Sequence, residues 1–171
     1  MTDPFITYRV NALETLFRQI ADTRMAGLPV INGALRVEAV GFESGGEQPG
    51  QAPALCGILL TPWFMNLVYL PLAREDEPGR VGVKRRLAVG REHFEFIGAH
   101  EAAIGTFDAC SLFSPMFDFA DHAAARTTAE AVLANLRGAP VPALQPVAEK
   151  PAVAPARPSR RGFLFGRGGA K

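Results

Sequence analysis

A chain of 171 residues, 48% apolar and 20% charged with twelve Phe, has the material for one buried core plus an appendage, which excludes a wholly disordered or fibrous chain. Its net charge of +1 hides a split: all 17 acidic residues precede Lys150, while six of the 18 basic ones follow Glu149, leaving residues 1–149 at −5 and the remainder at +6. An acidic body repels phosphate and so argues against broad nucleic-acid binding. Two isolated cysteines, Cys56 and Cys110, argue against a disulfide scaffold or a thiolate zinc site.

Met1 to Thr7 holds Asp3 and no basic residue, so no secretory leader is expected. Residues 6–24 then place Val10, Leu13, Leu16, Phe17 and Ile20 at three- and four-residue steps, predicting an amphipathic helix ended by Gly27 and Pro29. Leu35, Val37 and Ala39 alternate with Arg36 and Glu38 as a strand does, and Glu43–Pro53 reads as a Gly/Pro-rich loop. Further strands are predicted over Leu55–Thr61, Asn66–Leu70, Val83–Val89, His93–Ile97 and Thr106–Phe113, with the basic cluster Lys84-Arg85-Arg86 in the third of these. The most apolar stretch, Gly57–Leu72, is shorter than the roughly 20 residues of a bilayer span, and Pro62 and Asn66 interrupt it. An Ala-rich helix over Asp118–Arg137, stopped by Gly138 and Pro140, closes the series.

Short connections between strands leave no room for parallel crossovers. The expected fold is therefore α+β: an antiparallel sheet of about five or six strands, with the N-terminal and C-terminal helices on one face, followed by a disordered tail. The domain reading is 1–138 for the folded body, 139–158 for a Pro/Ala-rich linker and 159–171 for a basic C-terminal peptide.

No phosphate-cradling glycine loop and no GxSxG elbow is present, so no enzyme is read. His122, beside Asp121 and Asp118, reads as a surface contact on a helix. His93 and His100, with Cys56 or Cys110, supply metal-ligand types but no spacing that demands a metal, and no cofactor is expected. Three segments stand out instead. Thr61-Pro62-Trp63-Phe64-Met65-Asn66-Leu67-Val68 puts large soft side chains after a proline, which either pack into the core or line an apolar groove with Trp63 and Met65 at its lip. Cys110-Ser111-Leu112-Phe113-Ser114-Pro115-Met116-Phe117 alternates small polar with large apolar residues, and Cys110 has nothing adjacent in sequence to activate its thiol. Arg160-Arg161-Gly162-Phe163-Leu164-Phe165, after Ser159, matches the twin-arginine export pattern at the wrong end of the chain to be an export signal.

Those three segments, in that order, closely resemble the HybE-type NiFe-hydrogenase assembly chaperones, the group that includes the HupJ and HoxT branch. The likeness runs from the Arg24-Met25 helix end to the tail, apart from the Glu43–Pro53 loop and the linker. Some HupJ-type relatives carry a rubredoxin module, which this chain, lacking a CxxC pair, does not. The resemblance implies a cytoplasmic escort without catalysis, binding the large-subunit precursor and/or the small subunit with its twin-arginine signal, to coordinate cofactor assembly with export. The expected contact residues are Pro62, Trp63, Phe64, Met65, Cys110, Ser111, Phe113, Pro115 and Met116, with Arg160, Arg161, Phe163, Leu164 and Phe165 as a tethered mimic of the signal on the same surface. Two alternatives stay open: nickel donation to the large subunit through His93, His100 and a cysteine, and a small-ligand-binding domain.

Overall fold

The computed structural model describes residues 3–46 and 48–138. The linker, the basic peptide and the disordered-tail expectation lie outside the described residues. Helix α1 spans Pro4–Asp22 and opens on Asp3, whose carboxylate accepts the Phe5 N–H at 2.8 Å, while Pro4 has no amide to leave unpaired. Six strands follow: β1 (Glu38–Ser44), β2 (Ala54–Leu60), β3 (Met65–Pro71), β4 (Lys84–Val89), β5 (Glu92–Glu101) and β6 (Gly105–Phe113). Helix α2, His122–Leu136, closes the fold. The strands form one antiparallel sheet in the order β1-β2-β3-β6-β5-β4. The α+β architecture and its six strands are as the periodicity predicts.

The expected placement of both helices on one face is not. In β2, Leu55 and Leu59 join Leu13, Leu16, Phe17 and Ile20 of α1, whereas Cys56, Ile58 and Leu60 join Ala125, Ala129 and Leu133 of α2. Successive residues of a strand point to opposite faces, so the helices sandwich the sheet. The physical reason is written in β2 (ALCGILL) and β3 (MNLVYLP), which are almost continuously apolar and buried. Strands covered on both sides read this way, whereas one wet face would alternate.

A bulge in β1 serves both layers. Val40 opposes Ile58 and Glu43 opposes Cys56, so Gly41 and Phe42 together face Gly57. The extra residue sends Phe42 to the α1 side while Val40 stays on the α2 side. Gly57 makes room for this: a Cβ there would lie 2.5 Å from the Phe42 ring. On the α2 side the sheet curls until its ends are tied together. The Tyr69 hydroxyl donates to Ala88 O at 3.0 Å, and Gln48 Nε2 donates to the same carbonyl at 3.1 Å. The β4–β5 turn meets the end of α2, where a Cβ on Gly90 would fall 1.8 Å from Leu136 O.

Candidate functional site

Three connections meet at the end of the sheet where β2 passes into β3: the segment after α1, the β2–β3 turn and the segment between β6 and α2. The turn is built by Thr61, fully buried, whose hydroxyl accepts the N–H groups of Trp63 (3.3 Å) and Phe64 (3.0 Å) and donates to Phe64 O (3.1 Å). Pro62 leaves no amide unmatched there. Asn32 ties the three connections together. Its N–H donates to Pro62 O at 2.8 Å, and its amide nitrogen donates to Met116 O and Phe119 O, both at 2.9 Å. The Ser114 hydroxyl reaches Trp63 O at 3.5 Å, and the Ser114–Pro115 peptide is cis.

This frame presents an aromatic rim. Trp63 and Phe64 are half-buried, stacked edge-to-face at 5.5 Å, and Phe64 meets Phe17 of α1 at 5.8 Å. Phe113 meets Phe119 at 5.3 Å and, like Phe117 (55% exposed), opens to solvent. Leu28 and Val30 add exposed aliphatic surface from the segment after α1, and Asp118 and Asp121 stand exposed beside Phe117 and Phe119. Asp121 also caps α2, accepting the Ala124 N–H at 2.8 Å.

Of the residues expected from sequence, the structure brings Trp63, Phe64, Phe113 and the exposed Pro115 together at this end. Met65 and Met116 have no exposed surface and belong to the core under α2, so the expectation of Met65 at a groove lip is corrected: strand alternation turns it inward opposite Leu60. Pro62 is buried in the turn, and Ser111 is exposed on β6. Cys110 packs half-buried against the α2-side core, and desolvation there, with Glu95 adding to it, pushes its thiol pKa up, away from reactivity. Arg160, Arg161, Phe163, Leu164 and Phe165 lie outside the described residues. Sequence reasoning passed over Asn32, Leu28 and Val30, and left Phe117, the last residue of the second segment, out of the expected contacts. Leu28 and Val30 flank Pro29 in a stretch without periodicity, where two large apolar residues in a loop were the available signal.

The histidines settle elsewhere. His122 is buried rather than a surface contact: Nδ1 accepts the Arg36 N–H at 3.3 Å and Nε2 meets Glu38 of β1 at 2.6 Å, which pins α2 to the first strand. His100 meets Asp76 at 2.6 Å. His93 and His100 are seven apart in one strand and so point to opposite faces. Among the described residues no three His, Cys, Asp or Glu side chains converge as a metal site would require. Two clefts, of about 300 and about 410 Å³, are lined respectively by residues including Tyr69, Arg80, Arg85 and Asp108, and by residues including Cys56, Ala88 and Arg137. Neither is lined by Trp63 or Phe113. The first cleft, lined by Tyr69 and Pro71, and the aromatic rim thus occupy different ends of β3, whose seven residues span roughly 23 Å.

Among the described residues no helix is long and apolar enough to cross a membrane. The family described as "NiFe-hydrogenase assembly, chaperone, HybE" matches residues 8–166. Protein HoxT of Cupriavidus necator is 48% identical over 93% of this chain and 89% of its own length. The hydrogenase expression/formation protein HupJ of Bradyrhizobium diazoefficiens is 41% identical over 88% of the chain and 83% of its own. The solution structure of HybE from Escherichia coli shares the fold, with a TM-score of 0.52 at 21% identity over 95% of this chain and 91% of that one. With a family match that spans nearly its whole length, the chain belongs to the HybE family of NiFe-hydrogenase assembly chaperones.

Proposed function

We propose that the aromatic rim is where this chaperone grips an immature hydrogenase subunit, and that the segment gripped is extended, apolar and cationic, as a twin-arginine signal is. The observation that carries the reading is the exposure of Phe113, Phe117, Leu28 and Val30 on connections that Asn32 and Thr61 tie together. Apolar surface displayed on a fixed frame fits partner binding better than random exposure does, because its ordering cost is already met before association. Asp118 and Asp121 beside it, on a body of net charge −5, favour a basic segment. The large-subunit precursor is the other candidate partner. The role assigned to the chain is escort, without catalysis of its own, at the site where hydrogenase precursors are made.

Calorimetric titration of the full chain with a twin-arginine signal peptide, and pull-down of each subunit precursor, test the reading. Phe117→Ser and Leu28→Ser alter exposed positions and should leave stability nearly unchanged while each weakens binding about tenfold, the scale of one well-placed interface anchor. Undiminished binding by both variants would place the contact elsewhere. Failure of every precursor and of the signal peptide to bind the unaltered chain would discard the reading.

A further inference from the structure

The two edges of the sheet are treated differently. On β1 the outward N–H of Ala39 donates to Glu14 of α1 at 2.7 Å, and the Gly41 carbonyl accepts from Arg137 at 2.7 Å. A side chain from the middle of α1 and one at the C-terminal cap of α2 thus engage backbone groups along this strand. On β4 the pairing with β5 runs without a shift from Lys84↔Ile97 to Val89↔Glu92, across a two-residue turn at Gly90 and Arg91. A two-residue turn closes on a hydrogen-bonded pair, so Val89, Leu87 and Arg85 bond inward to β5 and Ala88, Arg86 and Lys84 turn their backbone groups outward. Two observations agree with this alternation: Val83 O accepts the Gly98 N–H at 2.9 Å, and Ala88 O is free to take the Tyr69 hydroxyl. Ala88 is therefore closed off, whereas the N–H and C=O of Lys84 and Arg86 have no partner among the described residues.

The side chains along this open stretch are basic. Lys84 and Arg86 are exposed on the α1-side face; Lys84 pairs with Glu95 at 2.8 Å, and Arg86 has no carboxylate within salt-bridge distance among the described residues. Arg91 in the adjoining turn is exposed as well. Glu92 and Glu95 stand exposed on the neighbouring β5, so the positive excess is confined to the edge, at Arg86 and Arg91. Basic residues on an edge keep two copies of a strand from pairing, since like charges would meet. The same charges favour a strand of the opposite sign.

We infer that β4 accepts an extended acidic segment of a partner as a seventh strand, paired through Lys84 and Arg86 and ending where Ala88 is capped. Strand addition draws its affinity from main-chain hydrogen bonds and its selectivity from alternate side chains, here carboxylates facing Lys84 and Arg86. This edge is separate from the aromatic rim, and its occupant has the opposite charge to the one proposed there.

The test uses the full chain and an acetylated, amidated peptide of sequence Thr-Glu-Val-Glu-Val-Thr, with a lysine-for-glutamate version as control. Amide exchange followed by nuclear magnetic resonance should show the Lys84 and Arg86 amides slowed about tenfold or more by the acidic peptide. The Arg85 and Leu87 amides, already bonded to β5, should not change. Arg86→Glu should weaken binding about tenfold, and Arg86→Pro, which removes only an outward N–H at an edge position, should abolish the protection at residue 84. Binding without protection of those two amides, equal binding of the lysine peptide, or no binding of the acidic peptide would each overturn the inference.

Discussion

Exchanging Asn32 for Asp replaces one donor group by an acceptor of the same shape, and so isolates what that side chain does at the junction of the three connections. The amide nitrogen gives two hydrogen bonds of 2.9 Å to Met116 O and Phe119 O, and Oδ1 accepts the Ala34 N–H at 3.0 Å. At about 1 kcal/mol net per bond, Asn32→Ala should cost about 2–3 kcal/mol. Asn32→Asp keeps the bond to Ala34 but turns a carboxylate toward two carbonyl oxygens, adding repulsion to their stranding; a total of about 3–4 kcal/mol follows. Those carbonyls raise the folded-state pKa of the new carboxyl. The folded protein then prefers it protonated, so the deficit is smallest below about pH 4 and grows as pH rises through the raised value. Trp63 is the single tryptophan and lies in the adjoining turn, so urea unfolding followed by its emission and by circular dichroism reports on the junction and on the whole fold. An Asp variant that costs less than the Ala variant at pH 7, or whose deficit is the same at pH 4 and pH 7, would refute the reasoning.

Other predictions concern the core and its edges. Gly57→Ala forces a Cβ to 2.5 Å from the Phe42 ring and 2.9 Å from Phe42 Cα, so a loss of about 2–3 kcal/mol in thermal or urea unfolding is expected, only partly relieved by adding Phe42→Ala because the backbone contact remains. Arg9 is buried and bonded to Pro71 O and Ile104 O, with its pKa lowered by desolvation; Arg9→Met should strand both carbonyls and cost about 2–4 kcal/mol, and an Arg9→Lys protein as stable as the unaltered chain would show the fork geometry is unimportant. Desolvation pushes the Cys56 thiol up to about 12, against which nearby Arg137 only partly works, so maleimide labelling at pH 8 should modify half-buried Cys110 at least about tenfold faster than Cys56. By linkage, burying Cys56 contributes stability below its ordinary value of 9.0 that is lost as pH rises toward 12, and a Cys56→Ala protein should show a shallower alkaline decline than the unaltered chain.

Much of the fold is legible in the sequence because its periods are clean. Predicted residues 6–24 became α1 at Pro4–Asp22, and four of the five later predicted strands agree with the observed ones to within about two residues at each end. The fifth, His93–Ile97, extends to Glu101 because its partner β6 continues alongside. The first strand is displaced: Leu35 and Val37 alternate but only lead into β1, which runs from Glu38 to Ser44 and takes in Glu43 and Ser44, the two residues that local propensity assigns to the start of the loop. Long-range pairing with β2 and the bulge at Gly41 override that propensity. Coverage of both sheet faces was written in the unbroken apolar runs of β2 and β3, yet run length alone does not say which helix covers which side. At the candidate site Trp63, Phe64 and Phe113 were legible as large apolar residues near prolines. Asn32 was not, because its importance comes from two carbonyls 84 and 87 residues away. The same holds for Glu38 and His122, a pair joined across 84 positions.

Clamping β2 and β3 between two helices, while β4 and much of β5 rest against protein on one side only, grades the molecule from a stiff axis to a yielding flank. The turn carrying Trp63 is rooted in the axis, so a partner meeting it presses on the last part of the chain to give way. The flank at β4 should open first on warming, and a ligand settling there would therefore be felt chiefly as a rise in the temperature at which the domain begins to loosen.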